Sequence, residues 1–141
     1  MNARLAAHAP TFLALLRIVT ALLFIEHGTQ KLFGFPPGSS MPTPDVLTMI
    51  WWAAVIELVP GALVLFGLFT RPAAFIAAGE MAFAYWIGHF PRLPLPEGFF
   101  PVNTDGDAAI LFCFIFLYLV FAGPGRWSID ARLPAREEPE A

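Results

Sequence analysis

Apolar residues in this chain fall into four long runs separated by proline- and glycine-rich stretches. The runs extend from about Thr11 to Phe33, Val46 to Phe69, Pro72 to Phe90 and Thr104 to Ala122. Each approaches the roughly 20 residues that an α-helix needs to cross a hydrocarbon layer about 30 Å thick. The breaks are equally informative. GFPPGSSMPTPD, Gly34 to Asp45, is too proline-dense to continue a helix and must be a loop. GLFTRPAA joins the second and third runs in a tight turn, where Thr70 can act as N-cap and Arg71-Pro72 opens the next helix. HFPRLPLPEGFFPVNTDGD, His89 to Asp107, is a longer loop whose Phe90, Phe99 and Phe100 suit a bilayer interface or a fold back over the bundle. The pattern predicts an all-α polytopic membrane protein: one four-transmembrane-helix bundle over residues 1–133, then a charged, disordered tail, PAREEPEA, over 134–141.

Composition sharpens this. Of the 141 residues, 57% are hydrophobic and only 13% charged, about half the charged fraction of an ordinary soluble domain. With a net charge of −3 and no basic stripe, nothing recommends nucleic acid as a partner, and the expected partner is the lipid bilayer. The first run is too long for a signal-peptide core, carries Arg17 and Glu26, and precedes no A-x-A-like site, so it reads as a retained helix. Arg4, Arg71, Arg126, Arg132 and Arg136 collect on one side, with Arg17 near it. The other side has Arg92 and Lys31. The positive-inside bias therefore places both termini in the cytoplasm and both proline-rich loops outside. Cys113 is the single cysteine, so no C-x-x-C relay can operate, and it reads as a small apolar helix residue.

Charges within the apolar runs carry the chemistry, because an ionisable group at mid-bilayer costs about 2.5–3.5 kcal/mol on insertion scales. At 100° per residue, Arg17, Gly28 and Lys31 share one stripe of the first helix, with His27 at its edge and Glu26 nearly opposite Arg17. Lys31, near the outer interface, can snorkel. Glu57 lies at the middle of the second run and precedes Pro60, which removes the hydrogen bond to the Ile56 carbonyl. A broken helix beside a midplane carboxylate is one way to build a ligand or ion site; a packing kink with a salt bridge to Arg17 is the structural alternative. Glu80 sits mid-way along the third run among small residues that permit close approach. Met81, Tyr85 and His89 recur there at i+4, with His89 at the outer end. Asn103 or Thr104 can cap the fourth helix, and Asp105 and Asp107 suit its positive end. Two polar layers are expected: an outer one of His27, Lys31, His89, Asn103 and Asp107, and a middle one of Glu26, Glu57 and Glu80, with Arg17 below it. Three carboxyls against one arginine leave the interior acid-rich, so they either keep a proton or bind a cation or a donor-rich ligand.

LLRIVTALLFIEHGTQKLFGF, IELVPGALVLFGLFTRPAAFIAAGEMAFAYWIGH and VNTDGDAAILFCFIFLYLVFAGPGRWSID together resemble the DoxX family of small bacterial four-helix membrane proteins, from about Leu15 to Leu133. Arg17, the G-x-x-K of Gly28 to Lys31, Glu57 and the closing Ser128-Ile129-Asp130 occupy the family's places. Relatives often show N-G-G-E before the fourth helix; here Asn103-Thr104-Asp105-Gly106-Asp107 ends on an acid one methylene shorter. The resemblance implies a multi-pass protein of the bacterial inner membrane with an accessory or quinone-facing role beside other subunits of a membrane oxidoreductase system.

Three functional classes follow. In the first, Arg17 or His27 donates to a quinone oxygen while Glu57 or Glu80 relays protons, the quinone supplying the redox chemistry. In the second, the glutamates and Pro60 form a transport path for a small solute or proton. In the third, the polar cluster is helix glue in a structural or chaperone-like subunit, with the outer loops docking a partner or a second copy. The sequence carries no metal signature and no evident cofactor motif. His27 and His89 on separate helices do not amount to a haem site.

Overall fold

The computed structural model describes residues 5–38 and 42–133, and the 134–141 tail expected to be disordered lies outside them. Four long helices account for the four apolar runs, and the described residues contain no strand. Helix α1 spans Ala9–Phe33, α2 Met49–Phe66, α3 Thr70–Phe83 and α4 Asp107–Ala122. By length and composition, α1 and α2 are long and apolar enough to cross a membrane, and α4 is a shorter apolar helix. α3 continues into a π-helical segment, Ala84–His89, and a single 3₁₀ turn, Phe90–Arg92. The interrupted hydrogen-bonding pattern explains why the Met81, Tyr85, His89 stripe does not hold its i+4 register: the wide turn begins inside it.

Neighbours in sequence are neighbours in space. α1 packs mainly on α2, α2 on α3 and α3 on α4, whereas α1 and α4 touch sparingly. α1 and α2 pack closely at Gly28. A Cβ there would stand 2.9 Å from Leu58 Cγ and 3.0 Å from the Ala54 carbonyl oxygen. Alanines of α3, Phe24 of α1 and Phe112, Phe116 and Leu119 of α4 form the core. Phe24 lies 4.7 Å from Phe116 and 5.8 Å from Phe112, centroid to centroid. Large apolar side chains such as Val19, Leu22, Phe75, Phe114 and Phe121 point outward and remain exposed. That is the inverse of a soluble bundle and the surface that lipid would solvate.

Pro60 does not break α2, which runs through it without interruption. The expected broken helix is therefore absent. Fourth-helix capping also differs from expectation: α4 begins after Gly106, with no side-chain cap, and Thr104 instead sits in a 3₁₀ turn with its hydroxyl donating to the Pro101 carbonyl.

At the end of the bundle where α2 turns into α3, α2 stops at Gly67, whose left-handed conformation (φ 66°) is one that glycine adopts without steric cost. The Leu68 amide closes back on the Leu63 carbonyl at 2.9 Å, a Schellman ending. Ser128-Ile129-Asp130 lies against this turn, with the Ile129 and Asp130 amides donating to the Phe66 and Gly67 carbonyls at 3.2 and 2.8 Å. Thr70 does not cap α3 with its own side chain. The Asp130 carboxylate does so from across the fold, accepting from the Phe69 amide (2.9 Å), the Thr70 amide (2.9 Å) and the Thr70 hydroxyl (2.7 Å). Partial burial opposes its charge, but these hydrogen bonds and the nearby Arg17 outweigh it and hold the Asp130 carboxyl below its ordinary value.

Candidate functional site

Buried ionisable groups gather in two places, and their hydrogen-bond accounts differ. Arg17 is fully buried near the end of the bundle where α2 turns into α3. Its Nε donates to the Pro124 carbonyl (2.8 Å), Nη1 to those of Val64 (2.6 Å) and Leu65, and Nη2 to those of Trp127 (2.9 Å) and Arg126 (3.4 Å). A guanidinium has five N–H groups, and all five are engaged. Val64 and Leu65 belong to the last turn of α2, where carbonyls lack intrahelical partners and a cation is favoured. Arg17 therefore welds α1 to the end of α2 and to the segment after α4. It neither pairs with Glu57, as the structural alternative required, nor keeps a donor for a ligand.

Toward the other end, a cleft of about 460 Å³ opens among all four helices. Its size falls within the range of small-molecule sites. α1 contributes His27 and Lys31, α2 Glu57, α3 and its π extension Glu80 and His89, and the loop before α4 Asp105. Gly28 sets the geometry. Because it brings the two backbones together, Lys31, one turn further on, reaches across to Glu57. Its Nζ lies 2.5 Å from Glu57 Oε1, and the Glu57 side chain is only 2% exposed. The lysine thus turns inward to an ion pair rather than snorkelling outward, which corrects the sequence expectation.

Lys31 satisfies half of Glu57. The second oxygen, Oε2, is buried without a hydrogen-bond partner among the described residues, and so is Oε2 of Glu80. Glu80 itself is 9% exposed. Two orphan carboxyl oxygens beside one ammonium form an acceptor-rich floor. An unpartnered buried acceptor costs about 1–3 kcal/mol, more when charged, so this floor is destabilised until something donates to it. The described residues contain no cluster able to hold a metal ion.

The remaining predicted residues divide. His27 lines the cleft and stands edge-on to Phe112, ring centroids 5.9 Å apart, at the cleft's exposed side. His89 lines it too, while its Nδ1–H donates to the Thr104 carbonyl at 3.0 Å. Glu26 is exposed and outside the cleft, because it stands half a helical turn from Arg17 and that face looks away from the bundle. The middle layer therefore holds two carboxyls, not three. Asn103 is exposed and donates to the Glu97 carbonyl at 3.0 Å. Asp107 is exposed in the first turn of α4, where the helix dipole favours it, and does not line the cleft. Asp105, in left-handed conformation (φ 55°), lines it instead. Sequence reasoning missed Arg92, which also lines the cleft and donates to the Gly88 and Thr104 carbonyls at 2.9 and 3.3 Å. Its only sequence signal is a lone cation in a proline-rich loop.

Below the cleft the bundle is closed. Phe24, Phe112 and Phe116 fill its axis, and Arg17 ties off the end beyond them. The lining of the cleft ends at Phe112 and does not include Phe24, Phe116 or Arg17.

Comparison with known proteins gives the same lineage from several directions. The DoxX family profile matches residues 12–90, which hold α1 to α3. An uncharacterized protein of Haemophilus influenzae is 43% identical over 131 residues, covering 89% of this chain and 93% of the relative. An uncharacterized membrane protein of Mycobacterium tuberculosis is 34% identical over 146 residues, covering 94% and 87%. The inner membrane protein YphA of Escherichia coli is 29% identical over 132 residues, covering 89% and 93%. No solved structure matches the chain.

Proposed function

The chain belongs to the DoxX family of membrane proteins, and from that premise we propose that it holds the head group of a lipid-soluble quinone in the outer cleft, as an accessory subunit of a redox system in the bacterial inner membrane. On this reading all four helices span the bilayer, both termini are cytoplasmic, and the cleft lies in the outer half. The exposed apolar faces and the basic residues at the inner end support that arrangement.

The observation that carries the proposal is the pair of orphan oxygens on Glu57 and Glu80, buried at a cleft of ligand size. A purely structural polar cluster would be expected to satisfy itself, as Arg17 does. A quinone brings its own redox chemistry; the protein supplies orientation and a proton-exchanging wall. Lys31 would orient the head group, and Glu57 and Glu80 would exchange protons with it. The closed core below the cleft favours binding over transport, since a solute path would have to pass Phe24, Phe112, Phe116 and Arg17.

Native mass spectrometry of the protein extracted from its own membrane tests this. The expected spectrum contains a one-to-one quinone adduct that disappears in Glu57→Gln. Phospholipid adducts alone, unchanged in that variant, would sink the reading.

A further inference from the structure

We infer that the cleft distinguishes the two redox forms of its occupant and favours the reduced, dihydroxy head group over the oxidised one. This inference rests on the quinone reading and adds a preference to it. It comes from counting donors and acceptors in the buried floor. Lys31 is the ammonium there; one of its three N–H groups serves Glu57 Oε1 at 2.5 Å, and two remain. Two carboxyl oxygens there have no partner among the described residues, one on α2 and one on α3, both on side chains more than nine-tenths buried. His27 and Gln30 also line the cleft and bring donors of their own, but donors leave the two orphan acceptors to be matched only by a donating occupant or a rearranged side chain. The Nδ1–H of His89 and two donors of Arg92 are committed to backbone carbonyls, and Asp105 adds a further acceptor near the rim.

An oxidised quinone head presents two carbonyl oxygens, both acceptors; the spare N–H groups of Lys31 can serve them, but neither carbonyl can donate to an orphan oxygen. Its reduced form presents two O–H donors, one for each orphan. A proton held on Glu80 does not reverse the preference. It could serve one quinone carbonyl, but Glu57 Oε2 would remain unpaired, whereas a hydroxyl would satisfy it. Sites built around unpaired buried polar groups reject an analogue that lacks the complementary group far more strongly than apolar pockets reject a change of size.

The test is equilibrium binding of durohydroquinone and duroquinone, measured separately under anaerobic conditions on the full chain in lipid nanodiscs. The expected result is at least tenfold tighter binding of durohydroquinone. For a two-electron couple, each tenfold preference for the reduced form raises the midpoint potential of the bound pair by about 30 mV. In Glu80→Gln, whose amide both donates and accepts, the preference should fall to within about threefold. Equal binding of the two forms by the wild-type protein, or tighter binding of duroquinone, overturns the inference and leaves the quinone reading standing. Binding of neither form overturns both. The wild-type ratio decides the matter alone, so a poorly folding variant does not obscure it.

Discussion

The two ends of this bundle bury charge in opposite ways. At the inner end Arg17 uses all five of its N–H groups on backbone carbonyls, and Asp130 accepts three hydrogen bonds at the start of α3. In the other half Glu57 and Glu80 each leave an oxygen without a partner among the described residues, beside a cleft. Lipid cannot solvate either place, so every polar group must be satisfied from within or be left at a cost. The inner end is complete and has nothing to offer a ligand. The outer cleft is incomplete and open. Burial alone therefore does not mark a functional charge; an unfinished hydrogen-bond account does.

The largest expected effect lies at the inner end. Arg17→Leu leaves the Leu65 carbonyl and three loop carbonyls without the donor they have here, and its cost should exceed about 4 kcal/mol, enough to abolish a folded, monodisperse protein in detergent. Arg17→Lys, with three donors for five acceptors, should recover only part of the thermal stability. A near wild-type melting temperature for Arg17→Leu would dissolve the contrast between the two ends.

Next comes the ion pair. Lys31→Met strands Glu57, whose side chain is 2% exposed, and should cost about 3–5 kcal/mol. The double variant Lys31→Met/Glu57→Gln should regain much of that loss, because no uncompensated charge remains buried. Additive losses in a thermal-denaturation cycle would show that the pair is not coupled as its geometry requires. Gly28→Ala is smaller. Its new methyl meets Leu58 and the Ala54 carbonyl at about van der Waals overlap, and overpacking of this kind costs about 1–3 kcal/mol. The same wedge should push Lys31 away from Glu57 and weaken the coupling measured in that cycle.

Asp130 offers the mildest test, through pH. Its carboxyl is held below the ordinary value near 3.9, so its stabilisation is present above that value and fades as pH falls through the lower folded one. Asp130→Ala should lose about 0.5–2 kcal/mol at neutral pH, the usual cost of a missing helix cap, with the difference from wild type shrinking below about pH 4. Hydrogen exchange at the first turn of α3 would report it. A difference that persists unchanged at pH 3 would remove the carboxylate from the capping role.

Much of this was legible in the sequence, but unevenly. Apolar run length and proline density locate the helices and loops because both act through local backbone physics. Arg17, Gly28, Lys31, Glu57 and Asp130 stand out as residues. Their partners do not, since Arg17 and Asp130 bind backbone groups, which have no sequence signature. Lys31 read as a snorkelling end residue because its inward reach depends on how closely Gly28 lets α2 approach. Glu26 was placed inside by its depth, although its position half a turn from Arg17 already argued for the outside. Asp105 displaced Asp107 at the cleft through a left-handed residue in a loop, and the π-helical turn before His89 has no sequence code that would announce it.

On the quinone reading the outer cleft trades stability for binding, whereas the inner end does not. Glu80→Gln tests it most directly, with thermal stability and retained small molecule measured on the same preparation from native membrane. Replacing an orphaned buried carboxyl with a neutral amide should leave the melting temperature of the ligand-stripped protein unchanged or raise it, while less quinone is retained through purification. A marked fall in melting temperature with ligand content unchanged would make Glu80 a scaffold residue like Arg17 and contradict the account.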